Sequence, residues 1–169
     1  RNSEKIPLKG NTGDYLSGET FSHELIYQES VRFIKENAEA KKPFYIAWWP
    51  QVGSFLNIAP DDNPKTLSYG VLQEGLARID EMVGEMMEQV KTAGIEENTL
   101  VILMADNGPM THNPPPGVGM GEGPFSGGKG DFLEGGVRVS AQAWWPSVIE
   151  PGQIAGDIIH VNDLYTTFA

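Results

Sequence analysis

The feature that most constrains this chain is an apolar run that stops abruptly. Leu100-Val101-Ile102-Leu103-Met104 is apolar throughout, and it gives way within two residues to Asp106-Asn107-Gly108-Pro109. A run bounded in this way reads as a buried strand whose carboxyl end delivers two oxygen-bearing side chains to a crevice, which is where open α/β sheets place their ligands. The loop that follows is so dense in Gly and Pro that it can hardly be regular structure, and it closes with Gly127-Gly128-Lys129-Gly130. Glycines permit positive φ and close backbone approach, so a lysine set among them reads as positioned rather than merely solvated. A carboxylate and an amide oxygen suit a hard cation such as Ca²⁺ or Mg²⁺, and an ammonium group suits an anion. Thr99 to Val139 therefore sketches an anion-processing metal site, with Asp106 and Asn107 at the metal and Lys129 at the anion.

Each part also has an ordinary reading. Asp-Asn-Gly-Pro in isolation is more often a turn than a ligand pair. Gly-Gly-Lys-Gly is not a Walker-type phosphate loop, because the first Gly, the four-residue spacer and the Ser or Thr after Lys are not in place. Specificity lies in the order: apolar run, DNGP, long loop, GGKG, EGGVRV.

The rest of the chain supplies a layered frame. Residues 1 to 18 are polar, punctuated by glycine, and read as loop. From Thr20 to Ala40 the apolar positions Tyr27, Val31, Ile34 and Ala38 recur at helical spacing, which predicts an amphipathic helix lying on a sheet, with His23 on its surface. Lys41-Lys42-Pro43 ends it. Phe44 to Trp49 is an apolar run of strand length, with Trp48 and Trp49 expected in a core rather than stacked on a sugar. Paired Asp61-Asp62 sits in a loop before a second helix over Tyr69–Thr92, whose stripe is Leu72, Leu76, Ile79, Val83, Met86 and Val90. Met82, Met86 and Met87 read as core filler, and Gly94 as the C′ residue. Arg138 to Trp145 predicts another strand closed by Pro146, Ser147 to Gly156 a loop, and Asp157 to Val161 an extended segment. Asn162 or Asp163 is expected to cap a further helix. Helices alternating with strands give an α/β layered sheet with flanking helices.

Composition narrows the partners. With 169 residues the chain has the size of one domain. A net charge of −11 disfavours nucleic acid, and no apolar run approaches the roughly 18 to 20 residues of a membrane span. There is no cysteine, hence no disulfide or thiolate metal site.

The combined pattern resembles the sulfatases of the alkaline phosphatase superfamily. ENTLVILMADNGP is similar to the family's strand and metal-ligand segment, and FSGGKGDFLEGGVRVSAQAWWPSVIEPG to its GGKG-x-x-x-EGG-x-RV segment; the likeness runs from about Tyr15 to the end. It implies that Asp106 and Asn107 bind Ca²⁺ or Mg²⁺, and that Lys129 holds the sulfate ester and its leaving-group oxygen. It also implies a formylglycine nucleophile, made from the Cys or Ser of a C/S-x-P-x-R motif that occurs nowhere in this sequence. Arg1 at the start and DLYTTFA at the end then fit residues 1–169 being the central to carboxyl-terminal part of a larger α/β catalytic domain, inactive in isolation. Such a piece is expected to self-associate or to pair with the missing amino-terminal part. In the family a His in a P-H-x-P turn protonates the leaving group, and counting from Pro43 places Ser54 on that His. His112, five residues beyond Asn107, is a candidate catalytic group, its ordinary reading being a solvated loop histidine. His160 resembles the family's H-x-D turn and is expected to be structural. The resemblance implies a small sulfate ester or sulfated glycan as substrate and a periplasmic, secreted or lysosomal setting. The alternatives are a phosphodiesterase or phosphonate hydrolase of the same superfamily, which the EGGVRV tail disfavours, and a non-catalytic binder of anionic glycans, which Ser54 motivates.

Overall fold

A computed structural model describes residues 22–50, 69–111 and 123–168 of the chain. The loop expected over 1–18, Asp61-Asp62, Ser54 and His112 lie outside these residues. The described elements are α1 (Ser22–Glu39), α2 (Tyr69–Thr92), β1 (Val101–Met104), α3 (Glu134–Val137), β2 (Ala141–Trp144) and α4 (Val161–Phe168). They pack mainly as two pairs, α1 on α2 and β1 beside β2. None of these helices is long and apolar enough to cross a membrane.

The helix pair follows from the apolar spacing, although α1 lies on a helix where the sequence pattern suggested a sheet. Its inner stripe is His23, Tyr27 and Ile34, spaced four and seven apart and all buried. His23 is thus not on the surface as expected, because it begins the same face that Tyr27 and Ile34 continue. On α2, Met82 and Val90 are buried, so one of the three methionines does fill the core. Arg78 reaches both oxygens of Glu24 at 3.0 and 2.9 Å, and the Tyr27 hydroxyl donates to Glu85. Pairs at 24 with 78 and 27 with 85 mean that the helices run in the same direction. Leu76 stands ahead of that overlap, which is why it is half exposed despite its place on the stripe. Burial foremost, then the Glu85 carboxylate, push the Tyr27 phenol up to about 12. The hydrogen bond to Glu24 raises the pKa of Arg78, which also lies over the Tyr27 ring at 5.7 Å.

Both helices stop in the same way. At the end of α2, Gly94 N–H donates to Lys91 O at 2.9 Å and Ile95 N–H to Val90 O at 3.3 Å; at the end of α1, Lys41 N–H donates to Ala38 O and Lys42 N–H to Asn37 O, both at 3.0 Å. These are Schellman motifs, which require a left-handed C′ residue. Gly94 takes φ +66° and Lys41 φ +50°. The lysine bears a steric cost that the glycine does not.

The sheet is smaller than the sequence suggested. Instead of three or four strands, the described residues form one antiparallel pair, with Val101 opposite Trp144 and Met104 opposite Ala141. β1 is not buried: Leu103 is 49% exposed, because a two-stranded ribbon has only one neighbour and no described helix packs across its faces. Phe44 to Trp49 joins no ladder, and Asp157 to Val161 contains no strand either. A strand requires a hydrogen-bonded partner, and no described segment offers one. Phe44 instead meets Phe33 edge-on at 6.1 Å and Tyr45 meets Phe168 at 6.2 Å, while Trp49, expected in a core, is 85% exposed. The 3₁₀ turn Glu96–Asn98 leads into β1, and Glu97 O accepts both Trp145 Nε1 at 2.9 Å and Ser147 Oγ at 2.6 Å, which ties the start of β1 to the end of β2. The cap of α4 is His160, not Asn162 or Asp163. Its Nδ1 accepts Asn162 N–H at 3.1 Å while Asp163 Oδ2 accepts His160 N–H at 2.8 Å, a reciprocal box that makes this histidine structural.

The matched helix ends give a direct test. Lys41→Gly is expected to raise unfolding free energy by about 1 kcal/mol and Gly94→Ala to lower it by about the same, read by urea denaturation. Nothing lies within 4 Å of a Cβ added at Gly94, so its cost is one of backbone conformation alone. Equal and negligible effects at both positions would show that φ does not govern these helix ends.

Candidate active site

Antiparallel pairing is what assembles the site. It sets the carboxyl end of β1 beside the amino end of β2, so the DNGP turn leaving one strand meets the EGGVRV segment entering the other. Ala105 N–H donates to Ser140 O at 3.4 Å, extending the ladder to the edge of the turn. Gly108 N–H then donates to Gly136 O at 3.0 Å, and Lys129 N–H donates to Pro109 O at 2.8 Å. The DNGP turn is thereby joined backbone to backbone to both the GGKG and the EGGVRV segments. Contact this close needs glycine: a Cβ on Gly108 would sit 1.7 Å from Gly135 O. Gly108, Gly128, Gly135 and Gly136 are all buried.

The EGGV segment forms one turn of helix, α3, that the sequence did not reveal. Two glycines disfavour helix locally. The turn forms because Gly135 N–H is drawn to Ser126 O at 2.9 Å and Arg138 N–H to Glu134 O at 2.8 Å. Arg138 also pairs with Glu134 at 3.1 Å and covers the Phe125 ring at 4.7 Å, bracing α3 against the start of the lysine loop. The salt bridge is exposed and adds little by itself.

Lys129 occupies the corner of a four-residue turn from Gly128 to Asp131. Asp131 N–H donates to Gly128 O at 2.9 Å, and Gly130 at the third position takes φ +95°, the pattern of a type II turn, which favours glycine there. The Lys129 side chain is exposed and has no ion-pair partner among the described residues. Asp106 is exposed and equally without a described partner; Asn107 is half-buried, and its Nδ2 donates to Gly108 O at 2.9 Å. That bond uses the amide nitrogen and leaves Oδ1 as the available acceptor. Thr111 Oγ1 is buried beside Gly128 and finds no hydrogen-bond partner among the described residues.

The backbone bonds thus bring the segments that carry Asp106, Asn107 and Lys129 together at one end of the ribbon, while His112 and Ser54 lie outside the described residues. As a metal site the set fits in kind and is incomplete in number. Carboxylate and amide oxygens are hard ligands, yet calcium takes about six to eight of them, and no group of three or more His, Cys, Asp or Glu able to hold a metal occurs among the described residues. Asp131, whose carboxylate accepts Gly128 N–H at 2.9 Å, was missed by the sequence reading. Its signal was a carboxylate directly after a Gly-Lys-Gly turn.

Comparison with known proteins defines the class. The sulfatase family model matches residues 1–169, and the chain belongs to that family. It is 31% identical over 97% of its length to mouse N-acetylgalactosamine-6-sulfatase and 33% identical over 76% of its length to human arylsulfatase A. The crystal structure of the PsFucS1 sulfatase from Pseudoalteromonas sp. matches 86% of this chain at TM-score 0.65 and 30% identity. The chain spans 30% of the mouse protein, 25% of the human one and 28% of the crystallised chain.

The glycine contact can be tested by stability. Gly108→Ala is expected to cost about 3 kcal/mol, the upper part of the range for forcing an atom into a filled space. Gly84→Ala is the control: it lies mid-helix in α2 with nothing within 4 Å of the added carbon, and should gain up to about 1 kcal/mol. Denaturant titrations showing similar, small effects for both would contradict the close approach.

Proposed function

We propose that this chain is the part of a sulfuric ester hydrolase that supplies two metal-ligand oxygens, from Asp106 and Asn107, and the sulfate-holding ammonium of Lys129. The observation that carries the reading is the pair of backbone hydrogen bonds, Lys129 N–H to Pro109 O and Gly108 N–H to Gly136 O, that fix the DNGP turn to the GGKG motif and to the EGGVRV segment after it. Family membership supports sulfate ester hydrolysis as the reaction, and the relatives matched above are named as sulfatases.

The chain's own groups account for binding and charge compensation. Lys129, exposed at the corner of its turn, offers up to three N–H donors to an anion and neutralises the charge that develops on the leaving oxygen as the S–O bond breaks. Asp106 and Asn107 would hold a divalent cation, most simply Ca²⁺, which when bound polarises the sulfate oxygens. Asn107 is oriented for this by its own Nδ2 bond to Gly108 O. The remaining metal ligands and the formylglycine nucleophile are supplied by residues other than these.

In a protein that joins this chain to a formylglycine-bearing segment, arylsulfate hydrolysis is expected, and Lys129→Ala should lower kcat/KM by about 10²- to 10³-fold, the usual effect of removing a charge-stabilising donor. Asp106→Ala should weaken calcium binding in the same protein. The 169-residue chain alone should show no turnover, since its sequence has no C/S-x-P-x-R motif from which the formylglycine nucleophile could be made, and should bind calcium no tighter than about millimolar in a calorimetric titration. Undiminished hydrolysis in Lys129→Ala would overturn the assignment. So would micromolar calcium binding by the chain alone that Asp106→Ala does not affect.

A further inference from the structure

We infer that Asp131 is the positioning residue for Lys129: by accepting Gly128 N–H, its carboxylate closes the turn that carries the lysine and fixes where the ammonium meets a sulfate group. The inference rests on the sulfate-holding role of Lys129 proposed above.

The turn has little reason to hold its shape unaided. Gly127, Gly128 and Gly130 surround Lys129, and glycine loses more backbone freedom on ordering than any other residue. The lysine side chain cannot compensate, because it is exposed and carries about 2 kcal/mol of rotamer entropy of its own. Pre-organisation must therefore come from the backbone. Asp131 supplies it twice. Its N–H donates to Gly128 O at 2.9 Å, and its Oδ2 accepts Gly128 N–H at 2.9 Å, so both polar backbone groups of Gly128 are held by one residue. The second bond is charge-assisted, about twice as strong as a neutral one. Lys129 N–H is meanwhile held by Pro109 O, so the peptide groups on both sides of the Gly128 Cα are anchored. The carboxylate lies along the loop: a Cβ on Gly127 would meet Oδ2 at 3.1 Å. Asp131 O packs against Gly136, where an added Cβ would meet it at 2.2 Å, which ties the turn to α3.

A negative charge two residues from an anion-holding lysine opposes anion binding through space. Positioning and electrostatics therefore make opposite predictions. Asp131→Asn keeps an oxygen acceptor and removes the charge, whereas Asp131→Ala removes both.

The test is titration of inorganic sulfate into the full chain, followed by the amide resonances of Gly128 and Lys129, with amide exchange at Gly128 measured in parallel. Asp131→Asn is expected to bind sulfate at least as well as the parent. Asp131→Ala should bind it about tenfold more weakly, the size of losing one charge-assisted hydrogen bond, with faster exchange at Gly128. Lys129→Ala should lose the saturable response while exchange at Gly128 stays slow. Sulfate affinity equal or higher in Asp131→Ala would overturn the inference and leave the role of Lys129 standing. Unchanged exchange at Gly128 in Asp131→Ala would do the same. If Asp131→Ala does not fold, amide exchange at Gly128 in Asp131→Asn decides, and exchange as slow as in the parent is the overturning result, since a neutral acceptor makes the weaker bond. A parent chain that does not bind sulfate, or Lys129→Ala binding it normally, would remove the functional reading and this inference with it.

Discussion

The hydrogen bond from Gly108 N–H to Gly136 O, with no space for a side chain on either residue, is the contact on which the rest of the site depends. It forms only because β1 and β2 run antiparallel. That register turns a long excursion through glycine and proline into a closed loop whose two ends meet. From it follow the seat of α3 against the turn, the anchoring of Lys129 to Pro109, and the placing of a carboxylate, an amide and an ammonium at one end of the ribbon. The chemistry available there is set by residue type. The geometry is set almost wholly by main-chain groups, and Asp106 and Lys129 stay exposed with no ion-pair partner among the described residues.

The helix pair obeys a different logic. Its contact is made by side chains: Tyr27, Arg78, Glu24 and Glu85 form a mixed polar cluster at one end, and Ile34, Met82 and Val90 are buried by the apolar stripes. The lifted Tyr27 phenol stays neutral across the physiological range and so remains a donor to Glu85. No charged group of this cluster belongs to the candidate site, and the helix pair and the ribbon pack chiefly within themselves.

Much of this was legible in the sequence, for identifiable reasons. α2 was readable as a helix from about Tyr69 to Thr92, because a long amphipathic period and a glycine just past its end are local signals. The family was readable because the order of motifs from DNGP to EGGVRV is specific. The strand expected at Phe44–Trp49 was not borne out, since apolar composition cannot say whether a partner strand is present. α3 was invisible because two glycines speak against helix, and only tertiary hydrogen bonds overrule them. His23 was misplaced by taking a polar residue to be a surface one, when its spacing from Tyr27 already put it inside. His160 was recognised as structural without its role as a cap, which depends on a reciprocal bond with Asp163.

The central claim is that main-chain hydrogen bonds hold the DNGP turn to the GGKG and EGGVRV segments as one unit. Native-state amide exchange measures it most directly. The amide protons of Gly108 and Lys129 should be protected to a degree comparable with the hydrogen-bonded amides of the β1–β2 ladder, and far more than those of the exposed segment 152–156. Exchange at Gly108 and Lys129 as fast as in segment 152–156 would mean that DNGP, GGKG and EGGVRV are not held together, and would contradict the account.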